Sequence, residues 1–349
     1  MTSQTLSSYL YAMIMITRMI NYITAVLLLS LITSCSLGGK KIYKETRVSL
    51  YTVVTITVYA DSKRNAAVAI DKTFNELDRL GKLLNFYSED SEVSKINQMA
   101  GIKPVKVSQD TVQVIKKALY ISKATDGAFD ITIGAIVKLW DFEKQILPDE
   151  RDINAKLHLV NYKDVVIDEK ESTVFLKKKG MAIDLGGIAK GYATDRAVEV
   201  LKKNRISEGI VVVGGEVKPF GKKPNGEVWR VGIKNPDQKG KEDDVFAIVE
   251  LDGKAISTSG GYEKFFVKDG KTYHHILDPA TGYPAYGYKS VSIIAKDAPD
   301  GFPTGIFVLG PQRGMEVVKG LGIDAVIMDE EGNILMTDGI KDKVVLSPK

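Results

Sequence analysis

Ile183-Asp-Leu-Gly-Gly-Ile-Ala-Lys-Gly-Tyr192 is the stretch on which the architecture turns. An apolar run ends in a glycine pair and apolar residues then recur at helical spacing, which predicts a helix over Ile188–Leu201. Beyond it the chain changes character. Ile210–Val213, Val228–Ile233, Val245–Leu251, Ala255–Ser257, Val291–Ala295 and Ala325–Met328 all read as strands. Upstream, Val48–Tyr59 alternates as a strand, and Ala66–Leu84 carries Ile70, Phe74, Leu77 and Leu84 on one helical stripe behind Asp61-Ser62. Val112, Ile115 and Leu119 mark another helix, stopped by Gly127. Val165–Ile167 and Thr173–Leu176 flank Asp168-Glu-Lys-Glu171 as a hairpin. Helices and strands do not alternate one for one, as a doubly wound sheet requires. The expected fold is therefore α+β, a layered domain with mixed or antiparallel sheets and flanking helices.

The 349 residues hold 48 Lys+Arg against 44 Asp+Glu, 44% hydrophobic residues and one cysteine. That composition excludes a disordered chain and a disulfide-stapled miniprotein. The near balance of charge argues against nucleic-acid binding, which needs clustered basic surface. Residues 1–34 hold one charge, Arg18, then the apolar run Ile23–Ile32, then small residues before Cys35. The pattern is that of a secretory signal peptide, and Thr33-Ser34-Cys35 resembles a bacterial lipobox. The competing reading, an uncleaved anchor, is disfavoured because so short a run spans a bilayer poorly. The expected organisation is a lipoprotein signal peptide over 1–34, a tether over 35–45 lipidated at Cys35, and a folded domain over 46–349. Such a protein is exported and lipid-anchored to a bacterial membrane, facing the periplasm or the cell exterior.

Three glycine doublets follow strand-like segments: Gly186-Gly187, Gly214-Gly215 and Gly260-Gly261. Paired glycines let backbone N–H groups approach a phosphate, or simply make tight turns. At the first doublet the following helix would turn its positive end toward an anion, and Lys190 adds a full charge. Neither a Walker A loop nor a G-x-G-x-x-G fingerprint is present. Of three histidines, His158 reads as a surface residue. His274 and His275 would face opposite sides of a strand, so one ring at most enters a given site. That ring could take a proton from a hydroxyl with Asp278 orienting it, or serve as a hydrogen-bonded structural residue before an Asp-Pro turn. Asp297, Asp300 and Thr304 offer hard oxygen ligands suited to Mg²⁺, although Asp, Pro and Gly are also what turns use. Asp300 and Thr304 would share a helix face if Pro303 allows a helix there.

In order along the chain, Asp90–Asn97, Gly127–Gly134 with Leu139-Trp140, Ile183–Gly191, Val213–Glu216, Trp229–Pro236, Ser257–Gly261 and His275–Pro284 resemble the ApbE family, the FAD:protein FMN transferases. The resemblance covers roughly residues 48–336. It implies an exported enzyme that uses Mg²⁺ to split FAD and joins FMN to a Thr or Ser hydroxyl of a partner protein, releasing AMP. The acceptors it implies are subunits of membrane redox complexes. An FAD pyrophosphatase giving FMN and AMP, or a flavin-binding lipoprotein without catalysis, are the alternatives. Carried over by position, Asp300, Thr304, Asp297 and the Gly187 carbonyl match metal ligands. Tyr87, Ala128, Phe129, Asp130, Asp184, Lys190 and His275 match flavin-nucleotide contacts, and His275 matches the catalytic base. Two departures stand out: Leu50-Tyr51-Thr52 replaces the family's Met-Gly-Thr, and Asp300-Gly-Phe-Pro-Thr304 is bulkier than its usual small residues.

Overall fold

The computed structural model describes residues 39–237 and 244–347. The segment expected to be a signal peptide, residues 1–34, and Cys35 lie outside the described residues. In chain order, β1 (Lys41–Ser49) and β2 (Thr52–Ala60) precede α1 (Lys63–Leu84), α2 (Glu92–Gln98), β3 (Val105–Lys106), α3 (Gln109–Ala124), α4 (Gly134–Val137) and α5 (Glu150–Leu157). Next come β4 (Val165–Asp168), β5 (Thr173–Leu176) and α6 (Ala189–Lys203). The strand-rich half then runs β6 (Glu208–Val213), β7 (Glu216–Phe220), β8 (Trp229–Lys234), β9 (Val245–Leu251), β10 (Ala255–Ser259), β11 (Phe265–Lys268), β12 (Lys271–His274) and β13 (Tyr288–Ala295). The chain closes with α7 (Phe302–Leu321), β14 (Asp324–Asp329), β15 (Ile334–Met336) and β16 (Val344–Leu346).

Eight strands form the central sheet in the order β1-β2-β6-β7-β10-β13-β14-β15. From β2 onward their pairings are antiparallel, which matches the expected α+β class. Side chains of its central strands point alternately to its two faces. On β13 and β14, Val291, Ile293, Ala325 and Ile327 pack toward α7, through Ile306, Phe307 and Val318. Ile294, Val326 and Met328 face the other way, onto Phe246 and Val249 of the three-stranded sheet β16-β9-β8. At the other end of the sheet Val54, Ile56 and Val58 meet Phe74 and Leu77 of α1 and Ala197 and Leu201 of α6. The period of two thus buries both faces, leaving helices on one side and a second sheet on the other.

Ser62 caps α1 by accepting from the Asn65 N–H, and the hairpin β4–β5 pairs Asp168 with Thr173, both as the sequence pattern predicts. The single strand expected over Val48–Tyr59 is instead the end of β1, a tight turn and β2. Leu50 and Tyr51 both adopt left-handed backbone, φ 52° and 59°, a turn geometry usually announced by Asn or Gly. The tether expected to reach residue 45 gives way earlier, because Lys41–Glu45 already belong to β1. Helix α7 was not predicted. Its glycines and prolines hide the apolar stripe, and its regular geometry breaks at Gly310, φ 74° and ψ −178°, just before Pro311.

Candidate active site

Long helices normally satisfy their first N–H groups with a local side chain. Ser62, Ser108 and Asp149 do this for α1, α3 and α5. Among described helices of eight residues or more, α6 and α7 lack such a cap. For α6 a distant group does this instead: Asp300, two residues before α7, accepts from the Gly191 N–H in the first turn of α6 at 2.9 Å through Oδ2. Gly191 is required for this approach, since a Cβ there would lie 2.4 Å from the Asp300 Cβ. Asp300 is buried, and nearby Phe129 packs its ring against Gly187 and Gly301 and its Cβ against Gly305. Pro303 fits because it stands in the first turn of α7, where no N–H is needed. Thr304 follows one helical turn after Asp300, its hydroxyl 3.0 Å from that of Ser259 on β10.

Glu216 is the group the sequence reading passed over. It opens β7 directly after the Gly214-Gly215 hairpin turn, and its side chain lies on the sheet face beside its cross-strand neighbour Ser257, which hydrogen-bonds it. It is fully buried and Oε2 has no hydrogen-bond partner. Burial first, and the nearby Asp300 charge second, push its pKa well above the usual carboxylate range. The available signal was the alternation of Ser257 and Ser259 on one face of a strand paired with Val213-Gly-Gly-Glu216.

Lys190 reaches back to the Gly186 carbonyl at 3.0 Å, and its charge acts on Asp184, Glu216 and His275. Asp184 is placed by Asn97, whose amide both donates to the Ile183 carbonyl and accepts from its N–H. Its Oδ1 accepts from the Gly186 N–H at 2.8 Å, while burial raises its pKa. Tyr87 stands 79% exposed, close enough to Asp184 for their charges to interact. Asp130 stands in the same loop as Ala128 and Phe129. It is buried and its carboxylate accepts from the Thr132 N–H and hydroxyl and from the Tyr162 N–H, so it ties down the loop carrying Ala128 and Phe129.

His274 and His275 do face opposite ways. His274 is buried against Gly261, Tyr286 and Phe307. His275 keeps a solvent-accessible edge, and its Nδ1 lies 3.2 Å from the Lys264 carbonyl. That carbonyl, not Asp278, orients the ring. Asp278 instead accepts from the Ala280 N–H within the turn, because Gly282, φ 74°, folds the segment back on itself under a hydrogen bond from Trp140. A carbonyl at Nδ1 demands a proton there and leaves Nε2 as the acceptor. Crowding lowers the His275 pKa to about 4, opposed by the Lys264 carbonyl and reinforced by Lys190 and Lys264. The accessible edge moderates that shift, but its direction makes the ring neutral at pH 7.

Asp300, Thr304 and the Gly187 carbonyl present hard oxygen donors and no sulfur or imidazole. Among the described residues no three His, Cys, Asp or Glu side chains gather into a complete cage. Such a donor set fits Mg²⁺, which takes one or two carboxylates and leaves its remaining positions to water or phosphate. Asp297, the remaining expected ligand, stands at the surface. Its side chain is 77% exposed and faces Lys218 at 3.7 Å, on a cavity of about 500 Å³ also lined by Lys117, Asp195 and Arg196.

Known proteins resemble this chain over most of its length. The model of the ApbE family matches residues 50–327. A FAD:protein FMN transferase of Klebsiella pneumoniae is 33% identical over 307 residues, 86% of this chain and 93% of that protein. One of Treponema pallidum is 32% identical over 335 residues, 88% of this chain and 91% of that protein. The crystal structure of the ApbE protein of Thermotoga maritima superposes with a TM-score of 0.80 at 37% identity, covering 87% of this chain and 99% of that one. The apo flavinyl transferase ApbE of Pseudomonas stutzeri gives 0.77 at 29% identity, covering 88% and 98%.

Proposed function

The chain belongs to the ApbE family, and from that premise we propose that it is a flavin transferase that moves FMN from FAD to a Thr or Ser hydroxyl of an exported or membrane redox protein, releasing AMP. The observation that carries the reading is the buried Asp300 carboxylate, which takes the first-turn N–H of the otherwise uncapped α6 and stands two residues before α7, the helix that carries Thr304. Positive helix ends, Lys190 and hard oxygen donors together form a place for a pyrophosphate and its cation.

In the reaction the phosphoanhydride bond between the two FAD phosphorus atoms breaks and a bond forms from the acceptor oxygen to the FMN phosphorus. The hydroxyl proton passes to Nε2 of His275, left free because Nδ1 is held by Lys264. Lys190 offsets the negative charge that otherwise repels the incoming oxygen. Mg²⁺ held by Asp300, Thr304 and the Gly187 carbonyl would supply charge neutralisation for the phosphates. The Asp184 region and Tyr87 line the path to the nucleotide. The lipobox at Cys35 supports an exported, membrane-tethered location for the domain.

The test is incubation with FAD, Mg²⁺ and a candidate acceptor, following AMP by chromatography and flavin fluorescence of the acceptor on a denaturing gel. Asp300→Asn and His275→Ala are each expected to lose labelling by at least about 10²-fold, the scale of a lost acid–base or electrostatic group. Wild-type AMP release by Asp300→Asn would refute the cation site. AMP release without labelling of any hydroxyl acceptor would favour the pyrophosphatase alternative.

A further inference from the structure

Glu216 has no role in that chemistry, yet it is the most anomalous side chain near it. A carboxylate oxygen buried without a partner forfeits hydration for nothing in return, and native proteins rarely tolerate that unless an ion answers it. Its surroundings exclude the simple explanations. Ser257 hydrogen-bonds the carboxylate, but Oε2 remains unpaired. Lys190 and Lys117 attract it only from a distance, since their ammonium groups bond the Gly186 and Ala298 carbonyls. Across the sheet face, Ser257 and Ser259 stand two residues apart on β10; the first holds Glu216 and the second meets the Thr304 hydroxyl. Asp300 is close enough for its charge to act strongly on Glu216.

We propose that Glu216 is a further ligand of the divalent-cation site, its unpartnered Oε2 holding the metal from the sheet side while Asp300 and Thr304 hold it from α7. This rests on the cation site proposed above and adds a second carboxylate to it. Two carboxylates and a hydroxyl remain within what Mg²⁺ or Mn²⁺ accepts while leaving room for substrate phosphates.

The experiment is titration of the full chain with Mn²⁺ alone, reading free Mn²⁺ by electron paramagnetic resonance, for wild type, Glu216→Gln and Asp300→Asn. Thermal unfolding in metal-free buffer serves as the folding control. Glu216→Gln keeps the shape and a hydrogen-bonding partner for Ser257, so its metal-free midpoint should equal or exceed wild type while its Mn²⁺ affinity falls at least tenfold. Wild-type affinity in Glu216→Gln, with loss in Asp300→Asn, overturns the role of Glu216 and leaves the cation site standing. Wild-type affinity in both variants, or a wild-type protein that leaves millimolar Mn²⁺ free, overturns the site and this inference together. If Glu216→Gln does not fold, Glu216→Asp, which retains the charge but withdraws it by one carbon–carbon bond, is read by the same criterion.

Discussion

Gly191→Ala reverses an ordinary expectation. In an open helix that change stabilises by about 0.5–1 kcal/mol, because alanine loses less conformational freedom than glycine. Residue 191 is not open. Its Cβ would lie 2.4 Å from the Asp300 Cβ and 3.3 Å from the Asp300 nitrogen, where carbons rest at about 3.5–4.0 Å. Neither partner is a flexible tip: one sits in the first turn of α6, the other on backbone leading into α7. Overpacking of this kind costs about 1–3 kcal/mol. Pushing Asp300 aside also lengthens its bond to the Gly191 N–H, and a hydrogen bond to a charged group contributes about 1.5–3 kcal/mol. After the helix gain is subtracted, a net loss of about 1.5–5.5 kcal/mol is expected in urea unfolding, together with a raised Mg²⁺ requirement for turnover. A variant as stable as wild type, or more so, would refute the contact between Asp300 and α6 and with it the capping of that helix.

Two further outcomes follow from charge. A histidine held neutral in the native state loses function only as pH falls through its lowered pKa, so the acid limb of kcat/KM assigned to His275 should centre below the free-histidine value of about 6.5. A limb at 6.5 or above, abolished in His275→Ala, would contradict the crowded, Lys264-oriented ring. Asp297→Ala removes only an exposed partner of Lys218, worth at most about 1 kcal/mol, and should leave the Mg²⁺ dependence of turnover unchanged. A tenfold higher Mg²⁺ requirement would return Asp297 to the cation site.

Periodic apolar residues made α1, α3 and α6 readable, and Ser62 announced where the first begins. The β1–β2 turn was not readable, since Leu50 and Tyr51 take left-handed backbone that only the surrounding sheet enforces. Helix α7 escaped because Pro303, Gly305, Gly310, Pro311 and Gly314 punctuate it, and its stability comes from packing on β13 rather than from propensity. The site divides the same way. Asp300, Thr304 and His275 were visible as residue types with suitable chemistry, whereas their supports were not. The capping of α6 by Asp300 and the Lys264 carbonyl at His275 are long-range contacts with no local spacing to betray them. Asp278 illustrates the converse, a carboxylate near a histidine in sequence whose own turn claims it.

The interruption at Gly310-Pro311 governs how α7 transmits movement. An unbroken rod of 20 residues is about 30 Å long, so a tilt of about 5° at its far end would swing the tip by about 2.6 Å. With the joint at Gly310 the lever shrinks to the eight residues Phe302–Leu309, about 12 Å, and the same tilt displaces Thr304 by no more than about 1 Å. The distal half is anchored on the sheet in its own right through the buried Gly314 and Val318, so the aim of the Thr304 hydroxyl depends on the short proximal segment alone.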